Sequence, residues 1–234
     1  DTDSLIWKDV KSKNIVLRPL SARRDSVETI NFSSINNGEQ MAVRLRWKDP
    51  TPDEDLSLGD QYLDQAAMQF ALGQVTLHTH GHNEPFWGMG NRGKPVNIWH
   101  WRSGLEKALE KAEDEEYHGD VDMDALVFGG QFSSPAAALN RPRETAVMEL
   151  NAEGFGTVTP QPADNQHVTG SGNWKDGEWT VVFLRDMRPI GKWDVNLTRK
   201  ESILVAFAVW DGLKEDRNGR KVVSVWQRLN ILAE

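Results

Sequence analysis

Met41-Ala-Val-Arg-Leu-Arg-Trp-Lys48 alternates apolar and polar side chains with a period of two. Val43, Leu45 and Trp47 point one way while Arg44, Arg46 and Lys48 point the other, which is the pattern of a strand with one buried face. Asp49-Pro50 ends it, because proline has no N–H to give a ladder. Read outward from here, the same logic predicts strands at residues 15–17, 66–72, 96–101, 180–184, 203–210 and 222–232. The stretch 203–210 is apolar on both faces, as a central strand should be. Pro and Gly clusters separate most of these segments. The fold class expected is therefore mainly β, an antiparallel β-sandwich with a few short helices in the connections.

One such helix is expected over Ser103-Gly-Leu-Glu-Lys-Ala-Leu-Glu-Lys-Ala112, where Leu105, Ala108, Leu109 and Ala112 share a face. Glu and Lys partners four residues apart support it, and the acidic run 113–116 reads as its solvated end. Residues 128–172, rich in Gly, Pro, Ser, Ala and Asn, read as a long surface loop around a short strand at 145–150. No internal repeat stands out, so residues 1–234 are expected to form a single domain.

Composition removes several function classes. The 234 residues carry a formal net charge of -8, the wrong sign for a chain that must neutralise phosphates. No apolar run approaches the ~20 residues of a membrane-spanning helix, so no membrane span is expected. Cysteine is absent. No thiolate can then hold an Fe–S cluster, attach a c-type haem, form a disulfide or bind zinc. Any redox cofactor has to be held non-covalently, by His, Met, Lys, Tyr or carboxylate. The chain begins at Asp1 rather than Met, which is compatible with a removed export signal.

The most unusual segment is Pro85-Phe-Trp-Gly-Met-Gly-Asn-Arg-Gly-Lys-Pro-Val-Asn-Ile-Trp-His-Trp101. Met89 lies between Gly88 and Gly90, residues that let a backbone turn tightly and approach another body closely. Either Met89 anchors a turn ahead of a strand of core tryptophans, or it projects from the turn as a ligand. In Trp210-Asp-Gly-Leu-Lys-Glu-Asp-Arg-Asn-Gly-Arg-Lys221, a charged hairpin-like loop ends where Lys221 opens an apolar strand. A lysine there usually snorkels to solvent. Were its amine buried and neutral, it could instead donate a lone pair to a metal.

Three histidines, His78, His80 and His82, would share a face in a strand and could bind a metal, but Gly81 and Asn83 favour a polar loop. His100 is a substitute ligand, or a packed polar residue between Trp99 and Trp101. Most of the ten tryptophans fall at inward strand positions and read as core. No Ser/His/Asp order, Walker loop or paired carboxylates stand out, so no catalytic residue is expected.

Five pieces together carry a family resemblance: Leu45-Arg-Trp-Lys-Asp49, Asp64-Gln-Ala-Ala-Met-Gln-Phe70, the Met89–Trp101 turn and strand, Ala206-Phe-Ala-Val-Trp-Asp-Gly212 and Gly219-Arg-Lys221. In order and spacing they resemble the haem-binding gamma subunits of type II enzymes of the dimethyl sulfoxide reductase family. That group includes ethylbenzene dehydrogenase, dimethylsulfide dehydrogenase, selenate reductase and chlorate reductase. The stretch 106–173 is not covered by the resemblance.

The resemblance implies a β-sandwich holding one haem b, with Met89 and Lys221 as the axial iron ligands. Arg92 and Lys94 are then candidates to meet the haem propionates, and Asn97 and Trp99 complete the expected cofactor-binding set. It also implies a heterotrimer with an Fe–S beta subunit and a molybdopterin-containing alpha subunit. A soluble c-type cytochrome would be the redox partner, and the location the periplasm. The alternative expectation is a carbohydrate-binding β-sandwich without a redox cofactor, which would need exposed aromatic platforms.

Overall fold

In a computed structural model, residues 2–55, 62–73, 83–113, 145–198 and 202–231 are described. Thirteen strands occur among them: β1 (Ser12–Val16), β2 (Arg18–Pro19), β3 (Thr29–Asn36), β4 (Gln40–Lys48), β5 (Gln65–Ala71), β6 (Val96–Arg102), β7 (Val147–Ala152), β8 (Thr159–Pro160), β9 (Thr169–Lys175), β10 (Glu178–Asp186), β11 (Ile203–Trp210), β12 (Val222–Val223) and β13 (Gln227–Leu229). Helix α1 (Ser103–Glu113) follows β6 directly. The strands form two antiparallel sheets. One has five strands in the order β1-β3-β4-β10-β9; the other has eight, in the order β2-β12-β11-β5-β6-β7-β8 with β13 also paired to β11.

The founding strand behaves as its alternation requires. In β4, Val43, Leu45 and Trp47 are buried while Arg44 and Arg46 lie on the other, half-exposed face. β11 is central, flanked by β5 on one side and by β12 and β13 on the other. The inner faces of both sheets contribute to one apolar cluster. Its centre is aromatic: the Trp101 and Trp179 rings lie 4.9 Å apart, and Trp47 packs 6.2 Å from Trp101 and 6.3 Å from Trp179. Trp101 meets both partners edge-on while Trp47 and Trp179 stack, and both arrangements add stability beyond the area they bury.

Helix α1 is tied across the sandwich. The Glu106 carboxylate accepts from Trp101 Nε1 at 2.7 Å and from the Gly172 N–H on β9 at 2.8 Å. Position 172 must be glycine, because a Cβ there would lie 2.2 Å from Trp101 Cζ2.

Two expectations are corrected. The strand expected over 222–232 is, over the described residues 222–231, two short strands, β12 and β13, separated by 224–226, where the Ser224 hydroxyl accepts the Phe207 N–H at 2.9 Å in place of a ladder bond. Within the expected long loop the short strand expected at 145–150 is present as β7, but β8 and the start of β9 were not expected, since the Thr-Gly-Ser-Gly sequence of β9 lacks the apolar alternation of a strand. Residues 114–144 lie outside the described residues. β3 also escaped the sequence reading, since Thr29-Ile-Asn-Phe-Ser-Ser-Ile-Asn36 mixes polar and apolar positions without strict period two.

Candidate cofactor site

Directly opposed residues of an antiparallel pair project to the same side, so the register shows which side chains share a face. Asn97, Trp99 and Trp101 of β6 point into the space between the sheets, and Ile98, His100 and Arg102 point the opposite way. Ala67 lies opposite both His100 and Ala208, Gln69 opposite Ile98 and Ala206, and Gln65 opposite Arg102 and Trp210. Continuing the β11–β12 pairing places Lys221 beside Trp210. The face turned away from the other sheet is therefore low in its middle, where Ala67, Ala71, Ala206 and Ala208 stand on β5 and β11. Larger groups rise around it.

Lys221 stands at one end of this alanine floor. It is 5% exposed, and its Nζ sits 4.5 Å from the centroid of the Trp210 ring. Among the described residues no carboxylate pairs with it. Burial alone pushes the amine down from 10.5 to about 8, because an ammonium there loses its water without gaining an anion. The snorkelling alternative thus fails: β12 runs under cover, and the lysine stem has no route along it to solvent. His100 reaches over the small Ala67 side chain to stack 5.0 Å from Trp210, and its Nε2 lies 2.9 Å from Gln65 Oε1. Burial, reinforced by Arg102 and Lys221, holds the imidazole well below its usual range, so it is neutral.

The Met turn stands at the other end. Gln69 grips it from the sheet: its Oε1 accepts the Met89 N–H at 3.2 Å and its amide donates to Trp87 O. Gly90 N–H closes the turn on Phe86 O at 2.8 Å, and Gly154 N–H binds Met89 O at 2.8 Å. Met89 itself has φ +88°, a conformation costly to any residue with a Cβ. Such strain persists because these bonds over-determine the backbone. Its half-buried side chain packs on the apolar core. Trp226 Nε1 donates to Pro85 O at 2.7 Å, which links the chain just beyond Lys221 to the turn that carries Met89.

Register gives the scale of the gap. Gln69, the anchor of Met89, is four residues along β5 from Gln65, about 13 Å, and two strand spacings, about 10 Å, from the β12 position of Lys221. A flat body could stand edge-on to the alanine floor between these two ends, with a thioether reaching one of its faces and an amine the other. Those two donors suit a borderline-to-soft metal, the amine because it is deprotonated at little cost.

The other expected residues divide. Arg92 is exposed and Lys94 half-buried, across the tight bridge Asn91↔Lys94 that follows Met89. Asn97 and Trp99 are not brought to this face. Asn97 is buried between the sheets, where its Nδ2 donates to Glu149 Oε1 at 3.1 Å and its Oδ1 accepts from Trp99 Nε1 at 3.2 Å. Trp99 packs there under the Arg185 guanidinium, 5.6 Å away. The period-two pattern set both against His100, and the face with Lys221 is the His100 face. His78, His80 and His82 lie outside the described residues. Gln65 and Gln69 were missed, although two glutamines in an otherwise apolar strand were a signal that it carries polar work.

Fold and face together define a class: a β-sandwich that offers a sulfur donor and a buried amine, unpaired among the described residues, on one sheet surface. The chain belongs to the ethylbenzene dehydrogenase family, whose profile matches residues 4–222, and so to the type II gamma-subunit group that its Met-Gly turn resembles. It is similar to the dimethylsulfide dehydrogenase subunit gamma of Rhodovulum sulfidophilum, 30% identical over 96% of this chain and 72% of that protein. The chlorate reductase subunit gamma of Ideonella dechloratans is 26% identical over 95% of this chain and 76% of its own. A Haloferax mediterranei protein, provisionally designated respiratory nitrate reductase heme subunit ORF7, is 28% identical over 88% of this chain. There the chain spans 57% of the relative's length. Among solved structures, a family 9 carbohydrate binding module from Caldicellulosiruptor kristjanssonii in complex with glucose covers 97% of this chain and 78% of its own. It does so with a TM-score of 0.40 and 9% identity, too distant a likeness to argue from.

Proposed function

We propose that this chain is an electron-transfer subunit that binds one haem b, with Met89 Sδ and Lys221 Nζ as the axial ligands. The observation that carries the reading is Lys221: a buried amine with no anion beside it among the described residues is a cost to the fold unless its lone pair has a use. The haem, when bound, supplies one-electron redox chemistry at iron, and thioether ligation tends to raise its potential. The protein's own residues do the rest. Trp210 and the neutral His100 keep water and competing charge away from the amine. Gln69 and Gly154 hold the Met89 backbone so that its side chain is presented without search. Arg92 and Lys94, just beyond the turn, are the candidates to meet the propionates by charge-assisted hydrogen bonds at the solvent edge.

The wider setting follows from the relatives' names, two of which are gamma subunits of oxidoreductases and one a haem subunit. On this reading the chain passes electrons between the Fe–S beta subunit of a periplasmic molybdenum oxidoreductase, whose alpha subunit carries molybdopterin, and a soluble c-type cytochrome. Among the described residues no helix is long and apolar enough to cross a membrane. The sugar-binding alternative is the weaker reading, since Trp47, Trp99, Trp101 and Trp179 are fully buried and unavailable as platforms, which leaves Trp193 and Phe155 as the most exposed aromatic side chains among the described residues.

A reduced-minus-oxidised spectrum with a pyridine haemochrome assay tests the cofactor. A b-type spectrum is expected, and a colourless chain refractory to added haem would end the proposal. Met89→Ala and Lys221→Ala should each change the ligand-field bands or the retention of haem. Unchanged spectra and potentials in both would remove the axial assignment while leaving the haem. Native purification should bring molybdenum and Fe–S partners with the chain.

A further inference from the structure

Lys221 is delivered by two pieces of chain, and the segment that follows β1 holds both. On its C-terminal side, β12 is paired on one edge to β11 and on the other to β2, with Val222 opposite Pro19 and Val223 opposite Arg18. Leu20 N–H continues that pairing by donating to the Lys221 carbonyl at 3.1 Å. Leu17 N–H donates to Glu28 O at 2.8 Å, so residues 17–28 close on themselves as a short strap along the outer edge of the lysine strand.

On its N-terminal side, Lys221 follows the loop 211–220. The hub of that loop is Asp216, whose side chain has no exposure at all. Asp216 Oδ2 accepts the Asp211 N–H at 3.2 Å, and Asp216 N–H returns a bond to Asp211 O at 3.1 Å. Arg23, from the strap, grips this carboxylate with both terminal nitrogens: Nη2 donates to Oδ2 at 2.6 Å and Nη1 to Oδ1. Arg220 also approaches Oδ1, at 3.6 Å, but its side chain is 51% exposed, so water competes for it. A buried carboxylate facing a two-pronged guanidinium is the strong form of such a pair, and removing the arginine leaves the charge stranded. Trp210 belongs to the same arrangement. Its Nε1 donates to Asn218 O at 3.1 Å, so the ring beside the Lys221 amine is tied to the loop that Arg23 holds.

We propose that Arg23 is a positioning residue for Lys221: through Asp216 it locks the loop that carries the lysine and braces Trp210, while the strap it stands on holds the Lys221 carbonyl. The consequence for iron rests on the haem reading above; the hold on the lysine does not. Without the latch the lysine is fixed by a strand of two residues and by the Leu20 bond alone. Its amine then gains freedom to leave its buried place, and a donor that must meet iron from one direction loses occupancy there.

The test compares the full chain with Arg23→Gln, which removes the charge and the fork, and with Arg23→Lys, which keeps the charge without the fork. In the haem-free chains, a brief pulse of acetic anhydride read by peptide mass spectrometry reports how often the Lys221 amine opens to solvent. Hydrogen exchange of the β5 and β11 amides reports the rest of the sheet. Arg23→Gln should raise acetylation of Lys221 roughly tenfold while those amides stay protected, and Arg23→Lys should fall between it and the parent. In the haem-loaded chains, Arg23→Gln should show an altered ligand-field spectrum and a shifted midpoint potential, and should surrender haem to apomyoglobin several-fold faster. If Arg23→Gln fails to fold, Arg23→Lys against the parent carries the same comparison. Acetylation of Lys221 unchanged, or raised only in step with exchange throughout β5 and β11, would overturn the latch. Acetylation raised locally with haem spectrum and potential unchanged would uphold the latch and overturn Lys221 as an iron ligand instead.

Discussion

Replacing Lys221 by methionine should stabilise the haem-free chain and, at the same time, impair the haem-bound one. The lysine amine falls from 10.5 to about 8 on folding, with desolvation as the cause. That fall corresponds to about 3 kcal/mol of cost for burying the ammonium at neutral pH. The variant forfeits the cation–π contact with Trp210, which takes back roughly 1 kcal/mol. Methionine fills a similar volume with an apolar chain, so the net gain is about 2 kcal/mol, or roughly 4–8 °C in melting temperature for a chain of this length.

The pH dependence separates this cause from simple repacking. Between pH 8 and 10.5 the unfolded lysine still carries its proton while the folded one has lost it. The unfolded state then binds more protons, so the parent's stability rises with pH across that window. The gap between Lys221→Met and parent should accordingly be full at pH 7 and close towards pH 10.5. Urea denaturation of both haem-free chains at pH 7, 8.5 and 10 measures it. A variant less stable than the parent at pH 7, or a gap indifferent to pH, would refute the buried, unpaired amine.

Other substitutions probe the remaining supports. Met89→Gly relieves the positive φ, so the haem-free chain should stay within about 1 kcal/mol of the parent by denaturation. Its haem, if the ligation is right, should show a lower midpoint potential in a redox titration. Glu149→Ala strips carboxylate contacts from Arg185, which is buried between the sheets and 3.6 Å from Glu149 Oε1, and should cost about 3 kcal/mol in urea. Asp194, at 2.9 Å, softens that loss, and Glu149→Gln should recover part of it. Gly172→Ala drives a methyl into the Trp101 ring and should lower the melting temperature by several degrees, with a blue-shifted or broadened tryptophan emission as its companion sign.

The sequence by itself determined the class of the fold. Strict alternation in β4 and the unbroken apolar run of β11 leave little choice of period, and the absence of cysteine limits how any redox group could be held. It also singled out Met89, because a side chain between two glycines in a tight turn is legible locally. Lys221 was visible as a position but not as a state. Whether a lysine snorkels or is entombed depends on what packs around it, and that is decided by Trp210 across the neighbouring strand and by His100, far away in the chain. Asn97 and Trp99 show the same limit from the other side. The alternation placed them together on one face of β6, but only the second sheet, bringing Arg185 and Phe183 against them, decided that this face looks inward and away from Lys221. The nearness of Asp49, Asp53, Asp64 and Asp211 was invisible for the most general reason: spread from position 49 to 211, they become neighbours only when the ends of β4, β5 and β11 converge.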